Sequence, residues 1–292
     1  MRLVLLLAGR NLRLYVRDRA GVMFSLLGPV ILLGLYALFL GRLQTDAIVA
    51  SFPGVEEHDV LVFVMAWVFA GVTMITTLTT GLAALGTFVE DRSSGRFADF
   101  LVSPISRVQL TLGYLLAALV VAVVLSTVVA VIGQVVILII GGPFIGWVQT
   151  AIVLGCIVLS CAAFAALSGF AAAFLGTTSA FAAFSTVMGT VLGFLAGAYI
   201  PAGVLPVGVL NVMNVLPFAQ SAMLLRQPFT DVAMDQMTDG NAELATGLDA
   251  YFGMTLSVGD VDISNGIAIG SLAVLFVVFA GLAAWRINRA IR

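Results

Sequence analysis

The chain has 292 residues, 61% of them hydrophobic and 10% charged, with a net charge of −2 and a mean hydropathy of +1.16. That balance excludes an ordinary soluble domain and marks an integral membrane protein. All 13 basic residues are arginine, and without a lysine the phosphate-binding loop GxxxxGK[ST] cannot be built, so an ATPase site of that type is excluded from the chain.

At the N-terminus, residues 1–19 read as an interfacial helix. At 100° per residue Arg2, Arg10, Arg13 and Arg17 share one sector of roughly 80°, while Leu3, Val4, Leu5, Leu7, Leu12, Leu14, Tyr15 and Val16 occupy the rest. The arginines break the apolar run and no small-residue cleavage site follows it, so it does not read as a signal peptide. Such a helix lies along the membrane surface and leads into the first span.

A spanning helix needs about 20 apolar residues, and a central charge costs about 2.5–3.5 kcal/mol, so uncharged runs mark the spans. Between Arg19 and Arg42 lie 22 uncharged residues, between Asp59 and Glu90 lie 30, and between Asp262 and Arg286 lie 23. These predict spans 1, 2 and 6. An uncharged run of 118 residues, from Val108 to Leu225, is divided by Gly141-Gly142-Pro143, by Gly176 to Ser179 and by Pro201. It yields span 3 over about 106–140, span 4 over 147–175 and span 5 over 180–200. The fold class is therefore all-α, with six transmembrane helices in a single domain over 1–292. A further external loop, 227–262, is acidic.

Six spans place both termini and the loop of residues 90–107 on one side. That side holds 11 of the 13 arginines, whereas the other takes 11 of the 15 acids with only Arg42 and Arg226. Positive charge is retained on the cytoplasmic face. Both termini and the 90–107 loop are thus expected in the cytoplasm of a multi-pass cell-membrane protein.

No Asp, Glu, Lys, Arg or His falls inside a predicted span, which argues against a proton-coupled carrier. Ala166-Leu167-Ser168-Gly169 comes nearest to a serine nucleophile elbow, but no histidine lies at membrane depth to serve as its base. His58, beside Glu56, Glu57 and Asp59, and the trio Asp231, Asp235 and Asp239, read as polar and acidic outer surface in preference to metal sites. Cys156 and Cys161 point about 140° apart on one helix and are expected as buried, reduced thiols. No catalytic, metal or cofactor site is expected in the chain.

In the charged loop, Phe97, Phe100 and Leu101 fall at i, i+3 and i+4, one apolar face of a short helix, with Arg96 and Asp99 elsewhere on it. Ser103-Pro104 reads as an N-cap with proline at the first helical position, restarting the chain into span 3. Span 2 counted to Val89 would be about 45 Å long against a hydrocarbon core of about 30 Å, enough to carry this helix beyond the membrane to a partner. Span 5 carries Ser185, Gly189, Gly193 and Gly197 at successive fours, a stripe for close helix packing within or between subunits. The hydroxyls of Thr73, Thr76, Thr77 and Thr80 in span 2 either line a path or bond back to their own helix, with packing favoured. A path between two copies would include residues such as Phe181, Phe184 and Met188, a surface suited to amphiphilic cargo.

Three stretches carry a family resemblance: Glu90 to Gly95 (EDRSSG), Asp99 to Arg107 (DFLVSPISR) and Leu112-Gly113-Tyr114-Leu115-Leu116. Together they resemble the signature of type 2 ABC exporter permeases, in particular the drug and antimicrobial-peptide resistance branch. Arg10-Asn11-Leu12, Tyr15, Arg17-Asp18-Arg19, Gly28-Pro29 and Phe39-Leu40-Gly41 are similar to the family's interfacial helix and first span. Pro201, Pro206 and Pro217 ahead of Arg226 resemble its external re-entrant hairpin, over 201–226. The chain departs from the family's Glu-x-Glu-x-Gly pattern, having Asp91, Ser93 and Gly95.

The resemblance implies that the 90–107 loop is a coupling helix docking on a separate ATPase subunit, which would hold ATP and Mg. A second permease, identical or related, would complete the complex. Asp91, Arg92, Arg96, Phe97, Asp99, Phe100, Leu101 and Arg107 are its expected coupling residues, with Phe97, Phe100 and Leu101 as buried anchors. The expected activity is outward movement of an amphiphilic drug, antibiotic or lipopeptide. Export of a lipid-linked glycan and a non-transporting scaffold or sensor are the alternatives.

Overall fold

A computed structural model describes residues 1–51, 54–97 and 105–290, with side chains for all of these except 37 and 287–290. Helix α1 (Arg2–Arg17) buries Leu7, Ala8, Asn11 and Tyr15. It ends at Asp18, whose backbone leaves the helical path (ψ 79°) and whose side chain caps α2 (Arg19–Leu35) by accepting from Gly21 N at 3.0 Å. That single capped residue turns the chain from α1 into the first span.

Span 1 continues from α2 through a π-helical turn (Tyr36–Leu40) into α3 (Gly41–Ser51). A Cβ on Gly41 would stand 2.6 Å from the Tyr36 carbonyl oxygen, so this turn needs glycine there. The helix therefore runs on past Arg42 and Asp46, where the uncharged run ends. A charge limits the hydrocarbon-embedded part of a helix, not its hydrogen bonding.

Span 2, α4 (Glu57–Ala84) with its continuation α5 (Gly86–Ser93), is the central column: 94% of its most apolar window is buried, against 17% in spans 5 and 6. As its residues are apolar all round, every face can be covered by protein. Its 37 residues extend about 55 Å at 1.5 Å per residue, longer than a hydrocarbon core of about 30 Å. Glu57, His58 and Asp59, expected in a loop, form its first turn.

Span 3 is α6 (Arg107–Ile139). Its N-cap is Ser106, which accepts from Gln109 N while the Gln109 side chain accepts from Ser106 N, a closed capping box. The cap thus lies three residues beyond the expected Ser103-Pro104, which fall outside the described residues. Span 4 is α7 (Trp147–Ala172) and span 5 is α8 (Thr178–Leu195).

After span 5 the chain continues in a bent helix pair. Helices α9 (Val207–Val215) and α10 (Pro217–Thr238) meet at an 87° bend, with Leu216 extended and Pro217 opening α10. The expected boundary at 226/227 falls inside α10, which buries residues from Phe218 to Thr238. The expected acidic loop is instead the end of α10, then α11 (Ala242–Phe252), then a hairpin of β1 (Leu256–Val258) and β2 (Val261–Ile263). The strands are antiparallel, with Leu256 opposite Ile263. Span 6 is α12 (Asn265–Ala290).

Among the described residues six helices are long and apolar enough to cross a membrane, besides the bent α9–α10 pair. The protein is an all-α, multi-pass membrane protein. Cys156 and Cys161 are buried and unpaired.

Candidate functional site

The root of the charged loop is organised around one carboxylate. Asp91, near the end of α5, is 1% exposed and accepts from four donors. Arg10 of α1 donates through both terminal nitrogens, Nη1 to Oδ2 at 2.6 Å and Nη2 to Oδ1 at 3.1 Å. Tyr114 of span 3 donates its hydroxyl to Oδ2 at 2.6 Å, and Arg96 donates to Oδ1 at 3.2 Å. A buried carboxylate is tolerable only when paired and fully hydrogen-bonded, and the two-pronged arginine fork meets that demand. In return the Asp91 carboxylate raises the Arg10 guanidinium above its ordinary value.

Around this centre sits an aromatic triangle. Phe88, Phe97 and Tyr114 have ring centroids 5.3–6.3 Å apart. Phe97, expected as an anchor on a partner, is thus packed on its own chain and only 8% exposed. Asp91 is likewise internal, because the arginines of α1 and the loop converge on it. Arg92 donates to the Ala173 carbonyl oxygen at the end of span 4, 2.9 Å away. Arg96 is exposed and also lies 3.5 Å from Glu90, and Arg107 opens span 3. Asp99, Phe100 and Leu101 lie outside the described residues. The loop root is consequently tied to α1, span 3 and span 4 by side-chain hydrogen bonds.

A second feature runs beside it. A groove of about 540 Å³ between spans 1, 2 and 5 is lined by Phe24, Leu32, Thr79, Ser185, Gly189 and Tyr199 among others. A smaller one of about 330 Å³ reaches Asp91 and Arg96. Gly21 and Ala83 line both, so the two adjoin. Phe181 borders the smaller one, whereas Phe184 and Met188 pack against the core and line neither.

Thr73, Thr76, Thr77 and Thr80 are fully buried within the chain. Thr76, Thr77 and Thr80 donate to Val72, Met74 and Thr76 carbonyl oxygens at 2.6–2.7 Å. It is Thr79, the neighbour absent from the expected set, that faces the groove. Of the span 5 stripe, only Ser185 and Gly189 border the groove. Gly193 seats the Tyr199 ring, which a Cβ would meet at 1.9 Å, and Gly197 lies past the helix end at φ +61°. This half of the stripe accommodates Tyr199 and, at Gly197, Arg226 of α10, whose Nη2 a Cβ would meet at 3.6 Å.

At the acidic end the structure reveals a residue that sequence reasoning left on the surface. Arg226 of α10 is 2% exposed. Its Nη2 donates to the carbonyl oxygens of Ala196 and Gly197 at 2.9 and 2.7 Å, and its Nη1 lies 3.5 Å from that of Gly253. The guanidinium also sits 5.1 Å from the centroid of Trp67. These carbonyls terminate α8 and α11, the ends where the helix dipole is negative, which compensates the cation without a carboxylate. Trp67 in turn donates to the Phe252 carbonyl oxygen at 2.8 Å, and Tyr36, in the π turn, donates to Tyr199 O at 3.2 Å. The available signal was position: Arg226 is the first charge after 118 uncharged residues, with Ala222 to Leu225 before it and Phe229 after it.

Among the described residues no group of three His, Cys, Asp or Glu side chains is gathered to hold a metal.

Six candidate spans among the described residues, a bent helix pair after span 5, and α1 joined to the loop root through Asp91 describe a polytopic membrane protein. The chain belongs to the ABC-2 type transporter family, whose model matches residues 2–229, from α1 into α10. It is a transmembrane permease subunit of an ABC transporter, a family that typically pairs with an ATP-binding subunit. No curated protein matches it in sequence.

Proposed function

We propose that the chain is the permease of an ATP-driven exporter of amphiphilic compounds, a drug, antibiotic or lipopeptide, driven by a separate ATPase that binds Mg and ATP. The arginine-rich end is the cytoplasmic face, with both termini there, and the ATPase docks on the loop of residues 90–107. The observation that carries this reading is Asp91. One buried carboxylate joins the loop root to α1 and span 3, so a partner that moves the loop moves the membrane helices with it. A subunit with no ionisable group in the apolar stretches of its six spans is driven through such an external two-state element.

Phe100 and Leu101 are the proposed anchors in the partner's groove, with Arg96 and Asp99 on the rim and Phe97 fixing the loop's first turn from inside. The groove between spans 1, 2 and 5 is proposed as one half of the path, completed by a second permease, identical or related. Its mixture of Phe, Leu and Thr suits a cargo with apolar and polar parts.

The deciding experiment is affinity purification from native membranes in mild detergent, followed by reconstitution. Recovery of an ATPase in near-equal amount, with hydrolysis altered by amphiphiles and outward transport into vesicles of inverted orientation, supports the exporter. A stoichiometric partner without hydrolysis, or hydrolysis indifferent to every amphiphile tested, overturns it in favour of a scaffold or sensor.

A further inference from the structure

We infer that the arginine-rich end carries a binding groove for one acyl chain of an anionic phospholipid, between α1 and spans 3, 4 and 6. The cavity there is about 480 Å³ and bordered by Val4 of α1, Gln109 and Leu119 of span 3, Ala162 of span 4, and Phe276 and Ala280 of span 6. It is distinct from the groove between spans 1, 2 and 5 and does not depend on the exporter reading.

Its shape arises from small residues. Alanines on span 4 and Ala280 leave a trough that larger side chains would fill, while α1 is held close to span 3 because Gly113 has no Cβ. A Cβ there would stand 2.7 Å from that of Leu7. The surface helix therefore roofs the trough at one end.

The length selects the occupant. From Gln109 to Leu119 the groove follows ten residues of helix, about 15 Å, which is half of a hydrocarbon core of about 30 Å. That is the depth of one leaflet, counted inward from the end of span 3 beside α1. A soluble ligand would not need this depth, whereas an acyl chain extends through it.

Charge selects the headgroup. Arg2 is exposed and adjoins Met1, which borders the groove, and Arg107 begins span 3 just ahead of Gln109. Exposed Arg13 and Arg17 continue the same surface along α1. Arginines at a membrane surface attract anionic headgroups, each by about fivefold in affinity.

The test uses the full permease with its ATPase subunit, reconstituted in nanodiscs of equimolar phosphatidylglycerol and phosphatidylethanolamine, then released and weighed by native mass spectrometry. The expected result is retention of phosphatidylglycerol over phosphatidylethanolamine. Arg2→Gln should lower that preference about fivefold, and the pair Ala162→Phe with Ala280→Phe should abolish retention. Equal retention of both lipids by the unaltered complex overturns the inference. So does retention that survives the paired phenylalanines in an assembled complex, since the lipid would then lie elsewhere. If that double variant does not assemble, Arg2→Gln alone decides: an unchanged preference overturns the proposal.

Discussion

The two ends of this protein each bury a charge, and they neutralise it by different means. At the arginine-rich end Asp91 is met by side chains: Arg10, whose side chain is 34% exposed, Arg96, which is 50% exposed, and the Tyr114 hydroxyl. At the acidic end Arg226 is met by backbone carbonyls that close two helices, and by the face of Trp67. Arg10 and Arg96 are partly exposed and can rearrange without moving a helix backbone, provided the buried carboxylate keeps its partners. Carbonyls at helix ends cannot move without moving the helices. In the proposed reading the first end transmits motion, while the second holds the α9–α10 pair, span 5 and span 2 in one arrangement.

The largest effect should come from breaking the carbonyl-bound end. Arg226→Ala leaves buried carbonyls without donors, and each lost charge-assisted bond is worth about 1.5–3 kcal/mol. The expected outcome is the lowest thermal stability of the set in detergent, with Arg226→Lys intermediate because an ammonium cannot span the same carbonyls. Stability equal to that of the unaltered protein would show that water or a carboxylate can reach this site.

Asp91→Asn comes next and should separate stability from coupling. The amide keeps an acceptor for Tyr114 but removes the charge opposing Arg10 and Arg96, at a cost of about 1–3 kcal/mol. Substrate-linked ATP hydrolysis is expected to fall by about tenfold, within the usual range of coupling energies, while the subunits still co-purify. Undiminished coupling would remove Asp91 from the transmission route.

Gly193→Ala and Gly189→Ala form a matched pair on span 5. The first places a methyl inside the Tyr199 ring, and overpacking of this kind costs about 1–3 kcal/mol. The second meets only Thr79 Cγ2 at 4.0 Å, so stability should hold while the groove narrows. Thermal unfolding of the two variants side by side decides whether the stripe serves one purpose or two.

At the Arg226 site itself the milder change is Trp67→Phe. It removes the 2.8 Å bond to the Phe252 carbonyl and weakens the contact over Arg226, a loss of about 1–2 kcal/mol. A thermal shift as large as that of Arg226→Ala would mean that the indole, not the helix ends, carries the cation.

Much of this was legible in the residues. Uncharged runs locate spans because a charge at the centre of a bilayer is costly whatever surrounds it, and the arginine sector of α1 follows from helix geometry alone. The EDRSSG and DFLVSPISR stretches point to the family that the chain proves to belong to. Composition and the missing lysine exclude a phosphate-binding loop of its own before any contact is known.

What only the tertiary structure decided is which polar groups face one another. Arg10 and Asp91 are 81 residues apart, and Arg226 meets carbonyls whose chemistry every residue shares, so nothing in their local sequence marks the pairing. Phe97 reads as an exposed apolar face until Phe88 and Tyr114 cover it. Thr79 and Thr80 are alike in sequence, yet one borders the groove and the other the core, because span 2 is surrounded on nearly every side and periodicity carries no sign of which neighbour lies where. The sequence by itself determined the membrane class, the number of spans and the uneven placement of charge, since these depend on the bilayer as solvent. The roles of single side chains depend on neighbours distant in the chain, and only packing brings those together.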